Sequence, residues 1–257
     1  MTKDFHGLPC WYELTSPDTA AAATFYGAVL GWSWAKVPME GMDYHLASMG
    51  PAMVAGMMTP PADGIPPNWC IYFAVTDCDA TAAAVQADGG GQIVPPSDIP
   101  GTGRFAILTD PQGAVFGILQ PLPMEDGNDT GRAFDQKTSG HGHWHELMTS
   151  DPAAAMAFYA KHLGWTASQA MDMGEMGTYQ LFAGQGGDMG GIMRQMVPGM
   201  PSFWLPYFGA NGIDAAVTVI TAAGGKVQNG PVEVPGGAFI LQATDPQGAW
   251  FALSGPR

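Results

Sequence analysis

Positive charge is scarce in this chain: 9 of its 257 residues are lysine or arginine against 23 aspartates and glutamates, a formal net charge of -14 with histidine neutral. Such a surface repels phosphate backbones and anionic lipid headgroups, and no basic cluster offsets it locally, so neither nucleic acid nor a membrane is expected as a partner. Cysteine is nearly absent. Cys10, Cys70 and Cys78 are odd in number and have no CxxC spacing, which argues against a disulfide framework and against a zinc knuckle. Long apolar runs are missing as well: nothing approaches the roughly 20 residues of a membrane-crossing helix, and Met1-Thr2-Lys3-Asp4-Phe5-His6 has no apolar signal core, so a cytoplasmic location is expected. Charged residues of both signs are only 12% of the chain while 46% is hydrophobic, which excludes a disordered tail protein and supplies material for buried cores.

What is present is a repeat. Phe25-Tyr26-Gly27-Ala28-Val29-Leu30-Gly31-Trp32 returns as Phe158-Tyr159-Ala160-Lys161-His162-Leu163-Gly164-Trp165. Trp11, Glu13, Asp18 and Phe25 recur as Trp144, Glu146, Asp151 and Phe158 at one offset of 133 residues (144 − 11). Trp69, Tyr72 and Asp110-Pro111-Gln112-Gly113 recur as Trp204, Tyr207 and Asp245-Pro246-Gln247-Gly248 at an offset of 135 (204 − 69). Register kept over such a length means that one structural unit was copied whole, and both copies are expected to share a fold. The expected division is a first domain over 1–123, a polar linker over 124–140 and a second domain over 141–257.

Within each half the order strand, helix, three strands is read twice. Gly7 to Thr15 alternates as a strand before Pro17-Asp18. Asp18 and Asp151 can cap the helices that follow by accepting from their first free N–H groups, and Pro152 stands at the favourable first helical position. Phe25 with Val29 and Tyr26 with Leu30, each four apart, give the helix one buried face, and Gly31 ends it. Three short strands are expected from Trp32 to Met58, broken near Glu40-Gly41 and Gly50-Pro51. After the Pro-rich loop 60–67, a strand over Trp69–Val75, a helix over Asp79–Ala87 and three strands over Gln92–Gln120 follow. Asp110-Pro111-Gln112-Gly113 reads as a type I turn. The second half repeats this order, with helices at about Pro152–Leu163 and Asp214–Ala223.

The repeated βαβββ order, the helix ending in FY…LGW, the strand ending Val75-Thr76-Asp77-Cys78-Asp79 and the segment Gly103-Arg104-Phe105-Ala106-Ile107-Leu108-Thr109-Asp110-Pro111-Gln112-Gly113 resemble the vicinal oxygen chelate superfamily. That group includes glyoxalase I, extradiol dioxygenases, and bleomycin and fosfomycin resistance proteins. The chain is most similar to its tandem, glyoxalase-like bacterial proteins that are often labelled hydroxylases. The resemblance covers nearly all of both halves and implies an α+β fold: four βαβββ units forming two tandem glyoxalase-like cup domains, with the ligand inside the cup.

In metal-dependent members of the superfamily, His or Glu side chains stand on the first and last strands of each unit. The matching first-strand positions here are Trp11, Cys70, Trp144 and Leu205, and the last-strand positions after the DPQG turns are Gly117 and Ala252. Met53–Met58 and Met189–Met193 contain no carboxylate or imidazole. A divalent ion needs about three or more protein ligands. No cofactor is therefore expected, and a divalent metal is the disfavoured alternative.

The ligand-binding candidates are Trp11, Cys70, Tyr72, Arg104, Trp144, Trp204 and Tyr207. Aromatic and soft side chains suit a flat or hydrophobic small molecule, and they equally suit simple packing. His45 and Tyr44, with Tyr179 and Gln180 near the equivalent place, are further lining candidates. Cys70 reads either as a lone thiol in the cup or as an inert buried residue, and Arg104 either as an anion selector or as a surface cation. Glu13 and Glu146 lie two residues beyond Trp11 and Trp144, on the same strand face, and are the catalytic candidates: a carboxylate in an apolar cup holds its proton more tightly. The structural alternative is a carboxylate accepting bonds from nearby tyrosine or backbone groups. His141, His143 and His145 alternate along one face, with His143 and His145 as outside metal candidates, yet three collinear side chains about 6 to 7 Å apart do not converge without a bend.

The leading expectation is a protein that binds a small hydrophobic or aromatic molecule in cup-shaped pockets without the usual metal. The alternatives are a glyoxalase-like or hydroxylase-like enzyme, lyase or oxygenase, using Glu13 or Glu146 or an unconventional metal site, and a scaffold with filled cups. The expected partner is a small-molecule ligand, and the expected state a monomer or homodimer.

Overall fold

A computed structural model describes residues 5–39, 42–122, 131–195 and 199–257. The first βαβββ module is β1 (Pro9–Thr15), α1 (Thr19–Leu30), β2 (Ser33–Met39), β3 (Met42–Met49) and β4 (Ala52–Met58). The second is β5 (Asn68–Ala74), α2 (Cys78–Ala87), β6 (Gly91–Ile99), β7 (Gly103–Thr109) and β8 (Val115–Pro121). The third is β9 (Gly142–Thr149), α3 (Pro152–Leu163), β10 (Thr166–Asp172), β11 (Thr178–Gly184) and β12 (Gly187–Arg194). The fourth is β13 (Phe203–Gly209), α4 (Ile213–Ala222), β14 (Lys226–Glu233), β15 (Phe239–Thr244) and β16 (Trp250–Gly255). Two mixed eight-stranded sheets result, ordered β2-β3-β4-β1-β5-β8-β7-β6 and β10-β11-β12-β9-β13-β16-β15-β14. This is the α+β fold of tandem βαβββ modules that the repeat and the resemblance imply. The break expected near Glu40-Gly41 and the linker residues 124–130 lie outside the described residues. In the rest of the linker, Phe134 bridges Gly142 and the Gly140 amide donates to the Gly209 carbonyl.

The helices begin where their caps dictate. Asp18, Asp77 and Asp151 accept from the amides of Ala21, Ala80 and Ala154, so the carboxylate satisfies an N–H that the helix itself cannot pair. Gly212, before α4, has no side chain to do this. Gly31 and Gly164 close α1 and α3 in the left-handed region, at φ 76° and 70°. Asp151→Ala is expected to cost about 1 kcal/mol of stability in urea denaturation, because the first turn of α3 loses its acceptor.

The chain divides into two compact units that do not follow its sequence halves. One comprises Met1–Cys10, Ile71–Thr130 and His145–Trp204, the other Trp11–Cys70, Gly131–Trp144 and Leu205–Arg257. Each unit takes the body of one module from each half, and this joins the two repeated sequence signatures. In one unit Trp69 Nε1 donates to the Tyr26 hydroxyl (2.9 Å), which donates to Asp245 Oδ2 (3.1 Å). In the other, Trp204 Nε1 donates to the Tyr159 hydroxyl (3.0 Å), which donates to Asp110 Oδ2 (3.1 Å). The tyrosine of FY…LGW thus bonds the aspartate of a DPQG turn in the opposite half of the chain. Each aspartate spends its other oxygen on its own turn: Asp110 Oδ1 accepts from the amides of Gln112 and Ala114, and Asp245 Oδ1 from those of Gln247, Gly248 and Ala249. As the turn motif predicts, Gly113 and Gly248 bond back to the aspartate carbonyls.

The tryptophan that ends the helix motif packs on the same tyrosine. Trp32 stacks on Tyr26 with centroids 6.0 Å apart, and Trp165 on Tyr159 at 5.1 Å. These rings form the apolar centre of each unit, and Tyr26 and Tyr159 are fully buried there. Burial raises both hydroxyls well above the usual tyrosine range, so each remains a donor.

Candidate functional site

Alternation along β1 separates two kinds of residue. Cys10, Tyr12 and Leu14 are buried on one face, whereas Trp11, Glu13 and Thr15 are half-buried on the other. Glu13 lies opposite Gly56 in the parallel β1–β4 ladder. The Tyr44 ring, from β3, lies across that glycine: a Cβ on Gly56 would stand 1.9 Å from the Tyr44 hydroxyl oxygen. Tyr44 reaches Glu13 in this way, donating to its Oε2 at 2.9 Å while accepting from Trp11 Nε1 at 3.2 Å. Burial, then the charge of Glu13, pushes the Tyr44 hydroxyl far above its ordinary range, which fixes the proton on tyrosine and the acceptor role on the carboxylate.

The third module repeats the arrangement. Glu146 on β9 lies opposite Gly191 on β12, Tyr179 from β11 covers that glycine, and the Tyr179 hydroxyl donates to Glu146 Oε2 at 3.1 Å. A Cβ on Gly191 would stand 2.1 Å from the ring. Glu146 is more enclosed than Glu13, at 6% exposure. Both candidate carboxylates therefore accept a tyrosine hydroxyl, and what the sequence reading missed was the glycine that lets the ring cross. The signal was available: Tyr44 and Tyr179, like Gly56 and Gly191, keep the offset of 135 (179 − 44).

The second and fourth modules carry the other candidates. Tyr72 is paired with Gly117 across β5 and β8, and its ring occupies the place where a Gly117 side chain would start, with ring carbons 2.4 to 2.6 Å from an ideal Cβ. Phe105 lies beside it at a centroid distance of 6.5 Å. Tyr207 is paired with Ala252 across β13 and β16, and its hydroxyl accepts from Gln242 Nε2 at 2.8 Å. Trp204, three residues before Tyr207, lies on the opposite face by strand alternation. It packs with Tyr159, Trp165, Phe182 and Phe73, within the core of its unit. Arg104 is held by Asp79 and Asp98, at 2.7 to 2.9 Å, which is its surface-cation alternative. Cys70 is buried and Trp144 half-buried.

The histidines are spent separately. His145 is fully buried and its Nδ1 bonds the Met189 carbonyl at 2.8 Å, while burial lowers its pKa to about 4. His143 bonds Ser254 and the Thr138 carbonyl, and His141 Nδ1 meets the Ser139 carbonyl. Among the described residues no group of three or more His, Cys, Asp or Glu side chains is placed to hold a metal ion.

Two stretches, 10–118 and 141–253, match the sequence family described as the Glyoxalase/Bleomycin resistance protein/Dioxygenase superfamily. The chain belongs to this superfamily. Among its relatives, CFP32 of Mycobacterium tuberculosis, provisionally named a glyoxylase, is 34% identical over 97% of this chain and 95% of its own. The anthracycline biosynthesis protein DnrV of Streptomyces peucetius is 32% identical over 98% and 94%. Solved structures with the same fold include the 2,3-dioxygenase LapB from Pseudomonas, with a TM-score of 0.64, 15% identity and coverage of 98% of this chain and 93% of that one. The Mn(II)-bound glyoxalase from Novosphingobium aromaticivorans gives 0.66, 14%, 97% and 82%. At such identities these two structures speak for the fold alone.

The superfamily's divalent ion can be tested against the residues present. Where this superfamily member would need ligands it has Trp11, Cys70, Trp144, Leu205, Gly117 and Ala252. A tyrosine ring fills the space above Gly117. One thiol and two carboxylates already accepting tyrosine bonds do not make a hard-ion donor set, so the residues do not fit the group.

Proposed function

We propose that this superfamily member binds a small, flat, hydrophobic or aromatic molecule and does so without the divalent ion. The observation that carries the reading is the threefold use of a tyrosine ring over a glycine, Tyr44 on Gly56, Tyr179 on Gly191 and Tyr72 on Gly117, at or beside the strand positions that superfamily members use for ligands. At each of these places the chain has π surface and no charged side chain, and π surface recognises aromatic molecules through stacking and apolar burial. Glu13 and Glu146, held by their tyrosines, then serve as acceptors for a hydroxyl or amine on the ligand. The anthracycline biosynthesis relatives are named for fused-ring aromatic compounds, which supports this ligand class.

The test is a fluorescence titration of the intrinsic tryptophans with 1-naphthol and with a hydroxyanthraquinone, repeated after exhaustive chelation. Saturable quenching that survives chelation and weakens about tenfold or more in Glu146→Gln or Glu13→Gln is expected, the loss of a hydrogen bond to a charged group. Binding that appears only after loading with zinc, nickel, manganese or iron would defeat the reading. A second reading, an enzyme that moves a proton through Glu13 or Glu146, is favoured by the Tyr44 and Tyr179 bonds that fix each carboxylate as the acceptor. It requires a chemical change in the bound molecule that the glutamine variants abolish.

A further inference from the structure

The histidine that the metal question leaves over has a more specific arrangement than a packing role needs. His143 Nε2 lies 3.0 Å from the Thr138 carbonyl oxygen, which can only accept, so in the neutral ring that nitrogen carries the proton. Nδ1 is then the basic nitrogen. It lies 3.0 Å from Ser254 Oγ, and the serine hydroxyl donates to it. Burial lowers the His143 pKa below its ordinary value, which keeps the ring neutral near pH 7, while the Asp135 carboxylate nearby opposes that shift and would favour the imidazolium once formed. A nucleophile bonded to a base, the base fixed in tautomer by a third group, is the geometric signature of an activated serine.

The other half of the chain shows that the fold does not require this. By the repeat offsets, the counterparts of His143, Gly209 and Ser254 are Cys10, Ala74 and Leu119. The register is the same in both: Gly209 is paired with Ser254, and Ala74 with Leu119. Where one half has a cysteine, an alanine and a leucine, the other has a histidine, a glycine and a serine. The glycine is part of the change, because a Cβ at Gly209 would stand 2.1 Å from His143 Nε2. Ser254 and His143 are half-buried, not enclosed.

We infer that Ser254 and His143 form a nucleophilic dyad that accepts acyl groups from small activated esters, a site separate from the Glu–Tyr pairs. Ser254 Oγ bonds to the ester carbonyl carbon as its proton passes to His143 Nδ1. The ester C–O bond then breaks, and the leaving alkoxide takes that proton. Water attacks the acyl-serine, giving its proton to Nδ1; the Oγ–C bond breaks, Oγ recovers the proton, and a carboxylic acid is released.

Two probes test this on the whole chain: a fluorophosphonate that labels activated serines, and 4-nitrophenyl acetate with release of nitrophenolate followed from the first turnover. One label per chain on the peptide carrying Ser254 is expected, with loss of labelling in Ser254→Ala and a fall of about 100-fold or more in labelling rate in His143→Gln, the contribution of a positioned base. Urea denaturation of each variant shows that it is folded, and Ser139→Ala, a neighbouring hydroxyl outside the dyad, should label as the parent does. A folded parent protein without label at Ser254, or labelling at Ser254 that His143→Gln leaves unchanged, would overturn the proposal.

Discussion

Gly117→Glu, the substitution that would restore a superfamily-like carboxylate, is expected to lose about 3 kcal/mol or more of stability and to gain no metal. The steric part comes from Tyr72, whose ring carbons lie 2.4 to 2.6 Å from the place of a Cβ. Tyr72 is itself 4% exposed and its strand is buried on both faces, so the ring has little room to withdraw. The electrostatic part comes from placing a carboxylate in that packing, while among the described residues no group of three or more His, Cys, Asp or Glu side chains is placed to hold an ion. Gly117→Ala separates the two, with about 1 to 3 kcal/mol for overpacking alone. Ala252, opposite Tyr207 in the fourth module, already carries a Cβ, so Ala252→Glu should suffer the smaller steric loss. The checks are urea denaturation and elemental analysis after loading with manganese. A Gly117→Glu protein of parental stability holding stoichiometric manganese would show that the tyrosine does not own the site.

The order of elements was legible because its signals are local. Helix caps at Asp18 and Asp151, glycine exits at Gly31 and Gly164, and the turn glycines Gly113 and Gly248 each act within a few residues, and the duplication states every one of them twice. The strand face shared by Trp11 and Glu13 was legible for the same reason: Glu13 follows Trp11 by one strand period. A tyrosine partner for each carboxylate was among the alternatives, but the specific pairing was not legible, since Tyr44 reaches Glu13 from the second strand away and only a glycine between them permits it. Nor could pattern assign Trp204, because β13 is buried on both faces and aromatic residues on its two sides look alike in sequence. The least legible feature was the pairing of modules from opposite halves into one unit. Nothing in a motif says that Tyr26 will find Asp245, 219 positions away, rather than Asp110 in its own half.

That pairing yields the second large effect. Asp245→Ala is expected to cost about 3 kcal/mol or more, because the Tyr26 hydroxyl and the amides of Gln247 and Ala249 lose one shared acceptor while the Gly248 amide keeps the backbone carbonyl of residue 245, and each buried donor left unmet costs about 1 to 3 kcal/mol less whatever water supplies. Tyr26→Phe should cost about 1 to 3 kcal/mol, since it leaves Trp69 Nε1 and Asp245 Oδ2 unmet while the turn keeps its bonds. The same pair of variants at Tyr159 and Asp110 should repeat the order of the losses in the other unit. The pH dependence gives an independent check with a definite sign. Burial raises the Asp245 pKa above its ordinary value of 3.8, against the turn and tyrosine bonds that lower it. The folded chain therefore holds this proton more tightly than the unfolded chain does. Its contribution is full below about pH 3.8 and is lost as pH rises through the folded value. Asp43, Asp79 and Asp88, lowered chiefly by Lys36, Arg104 and Lys161, contribute in the opposite sense, gaining stability up to the same pH. The difference in unfolding free energy between the parent and Asp245→Ala, followed in urea across the acid range, isolates the aspartate: the loss caused by the substitution should shrink as pH rises above 3.8. A loss that instead grows over that range would mean that Asp245 is held as a favourable anion, and that the tyrosine and the turn outweigh its burial.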